Sequence, residues 1–270
     1  RPRSVHGMDT QATIPETVLL LALDDASGKP LLDATSLLQS LGGAALAELV
    51  VRGRLRLSAE GDAGGAKPGR LVASTAVVAP ELEAFVEHAE GRTPKDALAR
   101  AVGWGGSRSA AARLRAALLG ELVEEGALER AETRWLGITW AERWERGART
   151  EREDAMQARA RALLAGEAPV AADESLVAAL AILHGAKALP KVFPDLDAKA
   201  LDARAAELAA GSWSSDVVRR AVEEMQVAMA VAVGVPIAIS TTTTCAEGAA
   251  APPCANPPRI ALTWGGISIG

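Results

Sequence analysis

This sequence of 270 residues predicts a mainly α fold, a single helical domain with small β-hairpins inserted after two of the helices. Three observations carry that expectation. Alanine and leucine dominate, and leucine-rich stripes recur at helical spacing. Two of those stripes, before Gly53 and Gly126, stop on glycine and run into an alternating stretch. The text turns to low complexity only after Val233. The expected organisation is a disordered segment over 1–12, the helical domain over 13–234 and a poorly ordered tail over 235–270.

The elements follow in order. "ETVLLLALDDASGKP" reads as a helix closed by Gly28 and Pro30. "DATSLLQSLGGAALAELVV" carries the stripe Leu37, Leu41, Ala45 and Leu49, with Asp33, Thr35 or Ser36 as its cap. Gly42 and Gly43 inside it imply close packing or a kink, because each costs about 1 kcal/mol against alanine. "RLRLSAE" and "GRLVASTAVV" form a hairpin around the turn "GDAGGAKP". "PELEAFVEHAE" places Pro80 in a first helical turn, and Thr93 caps a short helix after it. "SRSAAARLRAALLGELVEEG" is a strong helix from about Ser107, stopped by Gly126. "ALERAETRWLGITW" is a second hairpin, expected to turn near Ala131–Thr133. Further helices are expected at Glu151–Leu164, Ser175–Leu183, Ala198–Leu208 and Ser215–Val231, with "LPKVFPDLD" as a connector.

Charge and cysteine usage remove several function classes. A net charge of -5 argues against a broad nucleic-acid surface. Cys245 and Cys254 stand in the tail without a C-x-x-C, and His6, His88 and His184 are scattered, so neither a metal nor a cofactor is expected. The two tail cysteines fit free thiols or a disulfide closing a loop. The apolar runs Val18–Leu23 and Val227–Ile239 are shorter than the roughly 20 residues of a membrane span. No signal peptide is visible, and Met8 is a candidate natural start. A cytoplasmic protein is expected, peripheral on a membrane if recruited there.

No catalytic constellation stands out, and no enzyme activity is expected. "GWGGSRS" at 103–109 could offer backbone N–H groups to an anion, but lacks the lysine of a phosphate loop. The following helix has its core stripe at Ala111, Leu114, Leu118 and Leu122. Arg108 and Arg115, seven residues apart, then align on one edge of that stripe, and Arg113 points to solvent. Guanidinium groups near a helix start suit phosphate oxygens; a solvated edge is the plainer alternative. In "RWLGITWAERW", Trp135, Leu136, Ile138 and Trp140 lie between Arg134 and Arg143. Tryptophan beside basic residues suits an anionic membrane interface, and equally a core or an oligomer contact.

"TVLLLALDDASGKP", "LGGAALAELVVRGRLRL" and "LRAALLGELVEEGAL" followed by a Trp/Leu hairpin together resemble the Golgi phosphoprotein 3 family, most of all its actinobacterial members. The resemblance covers roughly Thr17–Val233, and "ELVVRGRLRL" is its most specific part. It implies a non-enzymatic, adaptor-like peripheral membrane protein that binds phosphatidylinositol 4-phosphate. The implied partners are an anionic phospholipid or phosphoinositide head group, the membrane surface, and a client protein or a second copy through the hydrophobic hairpin. Arg115 stands where one family pocket arginine falls, and Ala112 where another does, with Arg108 or Arg113 as substitutes. Gly42 replaces a further pocket arginine, and the pocket tryptophan is absent near Leu32–Asp33. The lipid head-group set is therefore Arg108, Arg113 and Arg115, and the membrane-contacting hairpin is Trp135, Leu136, Ile138 and Trp140. Arg52 and Arg54 are expected to flank a helix-to-hairpin junction. The competing reading is a winged-helix DNA-binding regulator, since helix, glycine stop and hairpin occur twice.

Overall fold

A computed structural model describes residues 12–61, 66–103, 108–135, 138–167, 173–211 and 216–232; for 132–135, 138–142, 211, 216 and 217 it describes the backbone only. Among the described residues the fold is mainly helical, with three two-stranded antiparallel hairpins.

Helix α1 (Ile14–Leu21) starts on Thr13, whose hydroxyl accepts the Glu16 N–H. It ends earlier than expected. Asp24 accepts from the Ala26 N–H and the Ser27 hydroxyl, and the Gly28 N–H donates to the Asp24 carbonyl. These bonds fold the stretch into a tight hairpin, β1 (Leu23–Asp24) and β2 (Lys29–Pro30), in place of further helix. Hairpins thus follow three helices rather than two.

Helix α2 (Ala34–Val51) is capped by Asp33. Gly42 and Gly43 lie inside one uninterrupted helix. A Cβ at Gly42 would lie 2.9 Å from Leu98 Cδ1, and one at Gly43 3.1 Å from Met229 Sδ, so both glycines admit neighbouring side chains. By length and composition α2 could cross a membrane, yet 67% of it is buried inside the fold. It packs against α3 (Pro80–Ala89), α4 (Pro94–Val102), α5 (Ala110–Glu124), α7 (Glu174–Gly185) and α10 (Asp216–Ala232), as well as α1. Its apolar character therefore serves the core.

The strands β3 (Leu55–Leu57) and β4 (Leu71–Ala73) form the expected hairpin after Gly53. Gly53 and Gly126 close α2 and α5 in the same way. Each has positive φ, +69° and +75°. Each donates to the carbonyl three residues back, and the next residue to the one five back. The echo between "ELVVRG" and "ELVEEG" is this shared helix stop.

After α5 come β5 (Leu128–Trp135) and β6 (Ile138–Arg146). The turn expected at Ala131–Thr133 is not there. Ala131 pairs with Arg143 and Thr133 with Ala141, and the chain reverses between Trp135 and Ile138. Ala131–Thr133 contains no Gly, Pro or Asn to favour a turn.

Helix α6 (Glu151–Ala165) follows, then α7, which is buried on all sides from Leu176 to Leu183. The expected connector contains a one-turn helix, α8 (Leu189–Val192), before α9 (Ala198–Gly211) and α10. The four expected helices after residue 150 all form, within a few residues of their expected bounds.

Candidate functional site

Helix α5 positions the arginines that the sequence singles out. Ala111, Leu114, Leu118 and Leu122 are buried against the core, as their spacing requires. The helix starts later than expected, at Ala110. Ser109 is its cap, accepting the Ala112 N–H at 3.2 Å. Arg108 therefore precedes the cap, and its helical alignment with Arg115 does not hold. It is exposed beside the helix start. Residues 104–107 lie outside the described residues.

Arg113 is exposed on the side facing α3. With Pro80, Glu81, Ala84, Ala110 and Leu114 it lines a shallow cleft of about 320 Å³. Arg115 is half-buried, and its Nε is sealed from solvent without a hydrogen-bond partner. None of the three arginines makes an ion pair among the described residues. Glu81 of α3 shares that cleft with Ala110 and Arg113, but α5 brings no acid of its own to its start. Its first turn holds no carboxylate, unlike the first turns of α1, α3, α4, α6 and α7. Asp33 and Asp197 cap α2 and α9, and α10 begins on Asp216. The positive end of the α5 dipole thus adds to the arginines with no first-turn carboxylate on its own helix.

The hairpin that follows sets Trp135 directly opposite Ile138 in register, at its far end. A β-bulge lies just before this pair. Thr133 opposes Ala141 and Arg134 opposes Thr139, which leaves Trp140 as the extra residue. Leu136 lies outside the described residues. Nearer the body, Arg130 stacks over the buried Trp144 ring, 5.9 Å from its centroid. Arg143, opposite Ala131, is half-buried with a sealed and unpartnered Nε, like Arg115.

Arg52 and Arg54 have internal work. Arg52 Nε donates to Glu48, a carboxylate only 3% exposed that also accepts the Ile14 N–H at 2.8 Å. Arg54 bonds to Glu83 and to the Ser74 carbonyl. These arginines staple the α2-to-hairpin junction.

Sequence reasoning missed two features. One is a cleft of about 260 Å³ lined by Asp24, Asp25, Gln157, Arg161, Lys191 and Phe193 among others. Its charges largely satisfy one another: Asp24 holds Ser27, Asp25 accepts from Gln157, and Arg161 pairs with Asp195 while covering the Phe193 ring. The other is a carboxylate cluster around Arg146, made of Asp25, Glu153 and Asp154. No local motif marks either, because the residues come from separate elements. Among the described residues no group of His, Cys, Asp and Glu could hold a metal ion.

The winged-helix reading requires an exposed, basic helix ahead of a hairpin. Helix α2 is enclosed, and the solvent face of α5 carries Glu121 and Glu124 beside Arg113. Neither offers a face that could enter a DNA groove.

No curated protein matches the chain significantly. The family model described as Golgi phosphoprotein 3 (GPP34) matches residues 14–225, from the first residue of α1 well into α10. Helix order, hairpin placement and the "ELVVRGRLRL" junction all lie inside that span, and the chain belongs to the Golgi phosphoprotein 3 family.

Proposed function

We propose that this protein is a non-enzymatic, adaptor-like peripheral membrane protein that binds an anionic or phosphoinositide head group on the cytoplasmic face of a membrane. The observation that carries the reading is Arg115. A half-buried guanidinium with a sealed, unpartnered Nε, on a helix with no acid in its first turn, is costly without an anion, and phosphate oxygens would supply the missing acceptor. Arg108 and Arg113 add charge near the same helix start. The Trp135–Ile138 end of the hairpin supplies residue types suited to the bilayer interface. Gly42 stands where the family pocket has an arginine, so binding is expected to be weaker and less selective than with a full pocket.

The test is cosedimentation with vesicles of neutral lipid alone, or with added phosphatidylserine or phosphatidylinositol 4-phosphate, at low and high salt. Wild-type protein should bind the anionic vesicles at low salt and lose binding as salt rises. Arg115→Ala should weaken binding about tenfold, the worth of one charge-assisted contact. Arg52→Ala should leave binding unchanged. An Arg115→Ala protein that binds like wild type, or no binding at low salt, would sink the proposal.

A further inference from the structure

The base of the β5–β6 hairpin, with Leu128 and Trp144 buried, is also fastened to the body by backbone and charged contacts. The Trp144 N–H donates to the Gly28 carbonyl at 2.8 Å. The approach there is so close that a Cβ on Gly28 would lie 3.0 Å from the Trp144 carbonyl oxygen. Two residues on, Arg146 ends β6 and reaches both the β1–β2 turn and the first turn of α6. It donates to Asp154, lies 4.0 Å from Asp25, and sets its Nε 3.6 Å from Glu153 Oε2.

That last distance is too long for a hydrogen bond. Glu153 is only 3% exposed. Both Glu153 Oε2 and Arg146 Nε are sealed from water with no hydrogen-bond partner. Three carboxylates thus share one guanidinium, and the most buried of them is the least well satisfied. An ionised carboxylate in that position is expensive.

We propose that Glu153, with Arg146 and Asp25, is a proton-linked latch that holds the β5–β6 hairpin against the body when Glu153 is protonated and loosens it when Glu153 is ionised. The proposal gives the membrane-facing hairpin a regulator, and it rests on the lipid-binding reading only for what the motion serves.

The direction follows from the surroundings. Burial, and then the Asp25 charge, push the Glu153 carboxyl up to about 6, with Asp154 adding and Arg146 opposing. When the hairpin and turn lift away, the carboxyl meets water and returns to its ordinary value near 4.5. The docked form therefore holds the proton about 30-fold more tightly, and docking strengthens by up to the same factor on acidification. An anionic membrane surface attracts protons as it attracts arginines, and so favours the latched form.

Other charges near the cluster are accounted for. Arg152, next to Glu153, pairs with Glu16 of α1 and with Glu125 at the end of α5. From α9, Arg204 binds the Leu163 carbonyl, far along α6. Within the hairpin, Glu129 opposes Glu145 in register, a like-charge pair that Glu153→Gln leaves unchanged. The difference between wild type and Glu153→Gln removes that background.

The experiment is hydrogen exchange read by mass spectrometry on the full, lipid-free chain between about pH 4.5 and 8, corrected for intrinsic exchange. Peptides spanning Ala127–Gly147 report the hairpin, and α2 peptides serve as the reference. Wild-type hairpin protection should fall by up to about 30-fold through pH 6, at opening free energies below those of the α2 amides, which report global unfolding. Glu153→Gln should lose that step and stay protected at pH 8. Asp25→Asn, at an exposed position, should move the step to lower pH. A wild-type hairpin with no step, a Glu153→Gln profile parallel to wild type, or an unmoved midpoint in Asp25→Asn would overturn the latch. Because no lipid is present, these outcomes are separate from the vesicle test.

Discussion

Glu48 should be the costliest polar residue to remove from this fold. It lies within α2, 3% exposed, and each oxygen has a defined task. Oε2 accepts the Ile14 N–H, the first N–H of α1, which no intrahelical bond can satisfy. Oε1 accepts from Arg52. Glu48→Ala strands the Ile14 N–H beside a fully buried Ile14 side chain, a loss of about 2 kcal/mol, and frees Arg52 for about 1 kcal/mol more. The expected destabilisation is about 3 kcal/mol in urea unfolding followed by circular dichroism. Arg52→Ala isolates the second part. With its side chain 42% exposed, it should cost no more than about 1 kcal/mol. Glu48→Gln keeps an acceptor for Ile14 and should resemble Arg52→Ala. Exchange at the α1 amides should rise in Glu48→Ala alone. If Glu48→Ala unfolds at the same urea concentration as Arg52→Ala, the staple between α1 and α2 contributes nothing, and the reasoning fails.

Two glycine substitutions should move stability in opposite directions. Gly120→Ala, in α5 with open space around it, should stabilise by about 1 kcal/mol through helix propensity. Gly185→Ala would set a Cβ 3.1 Å from the Gln226 carbonyl oxygen and 3.2 Å from its Cα, backbone that cannot step aside, and should destabilise by about 1–3 kcal/mol. Urea midpoints decide both. Stability should also depend on pH through Glu153. Its raised folded value makes its contribution full below about 4.5 and lost as pH climbs through about 6. Glu153→Gln should therefore exceed wild type by about 2 kcal/mol at pH 8 and match it near pH 4.5. His184 works in the opposite sense. Burial, with Lys187 adding, lowers its value despite Asp202 at 3.3 Å, so folding loses stability as acid forces a proton onto it. Equal urea midpoints for Glu153→Gln and wild type at pH 8 would contradict the Glu153 assignment.

The helices were legible wherever a stripe, a cap and a stop agreed. Asp33 and Thr93 each supply the expected cap bond, and Gly53 and Gly126 stop their helices by the same geometry. What escaped was local competition. In "LALDDASGKP" the helical stripe runs through Ala22, but the Asp24 side chain offers the backbone a turn that the apolar pattern cannot register. In "ALERAETRW" strand pairing continues past the polar run, so polarity alone misplaced the turn. The site was legible only as single residues. Spacing finds the stripe that buries Leu114 and Leu118, but it cannot say that Arg108 falls outside the helix cap. Nor can it say that Arg115 keeps a sealed, unpartnered Nε. That distinction depends on which carboxylates the other elements bring near.

The same dependence separates the two kinds of arginine in this protein. Arg52 at the end of α2, Arg54 at the start of the β3–β4 hairpin and Arg146 at the end of β6 each pair with a carboxylate, from α2, α3 and α6 respectively, and each is consumed by the fold. Arg113 and Arg115 lie on a helix whose N-terminal turn carries no acid, and neither has an ion pair among the described residues. A charge that folding leaves unpaired is available for a ligand, whereas a paired one must first break its internal contact. Substituting the first kind should therefore change stability and leave vesicle binding intact. Substituting the second should change binding and leave the urea midpoint nearly unmoved. If Arg115→Ala instead loses several kcal/mol of stability with its vesicle binding unaffected, Arg115 belongs with the structural group.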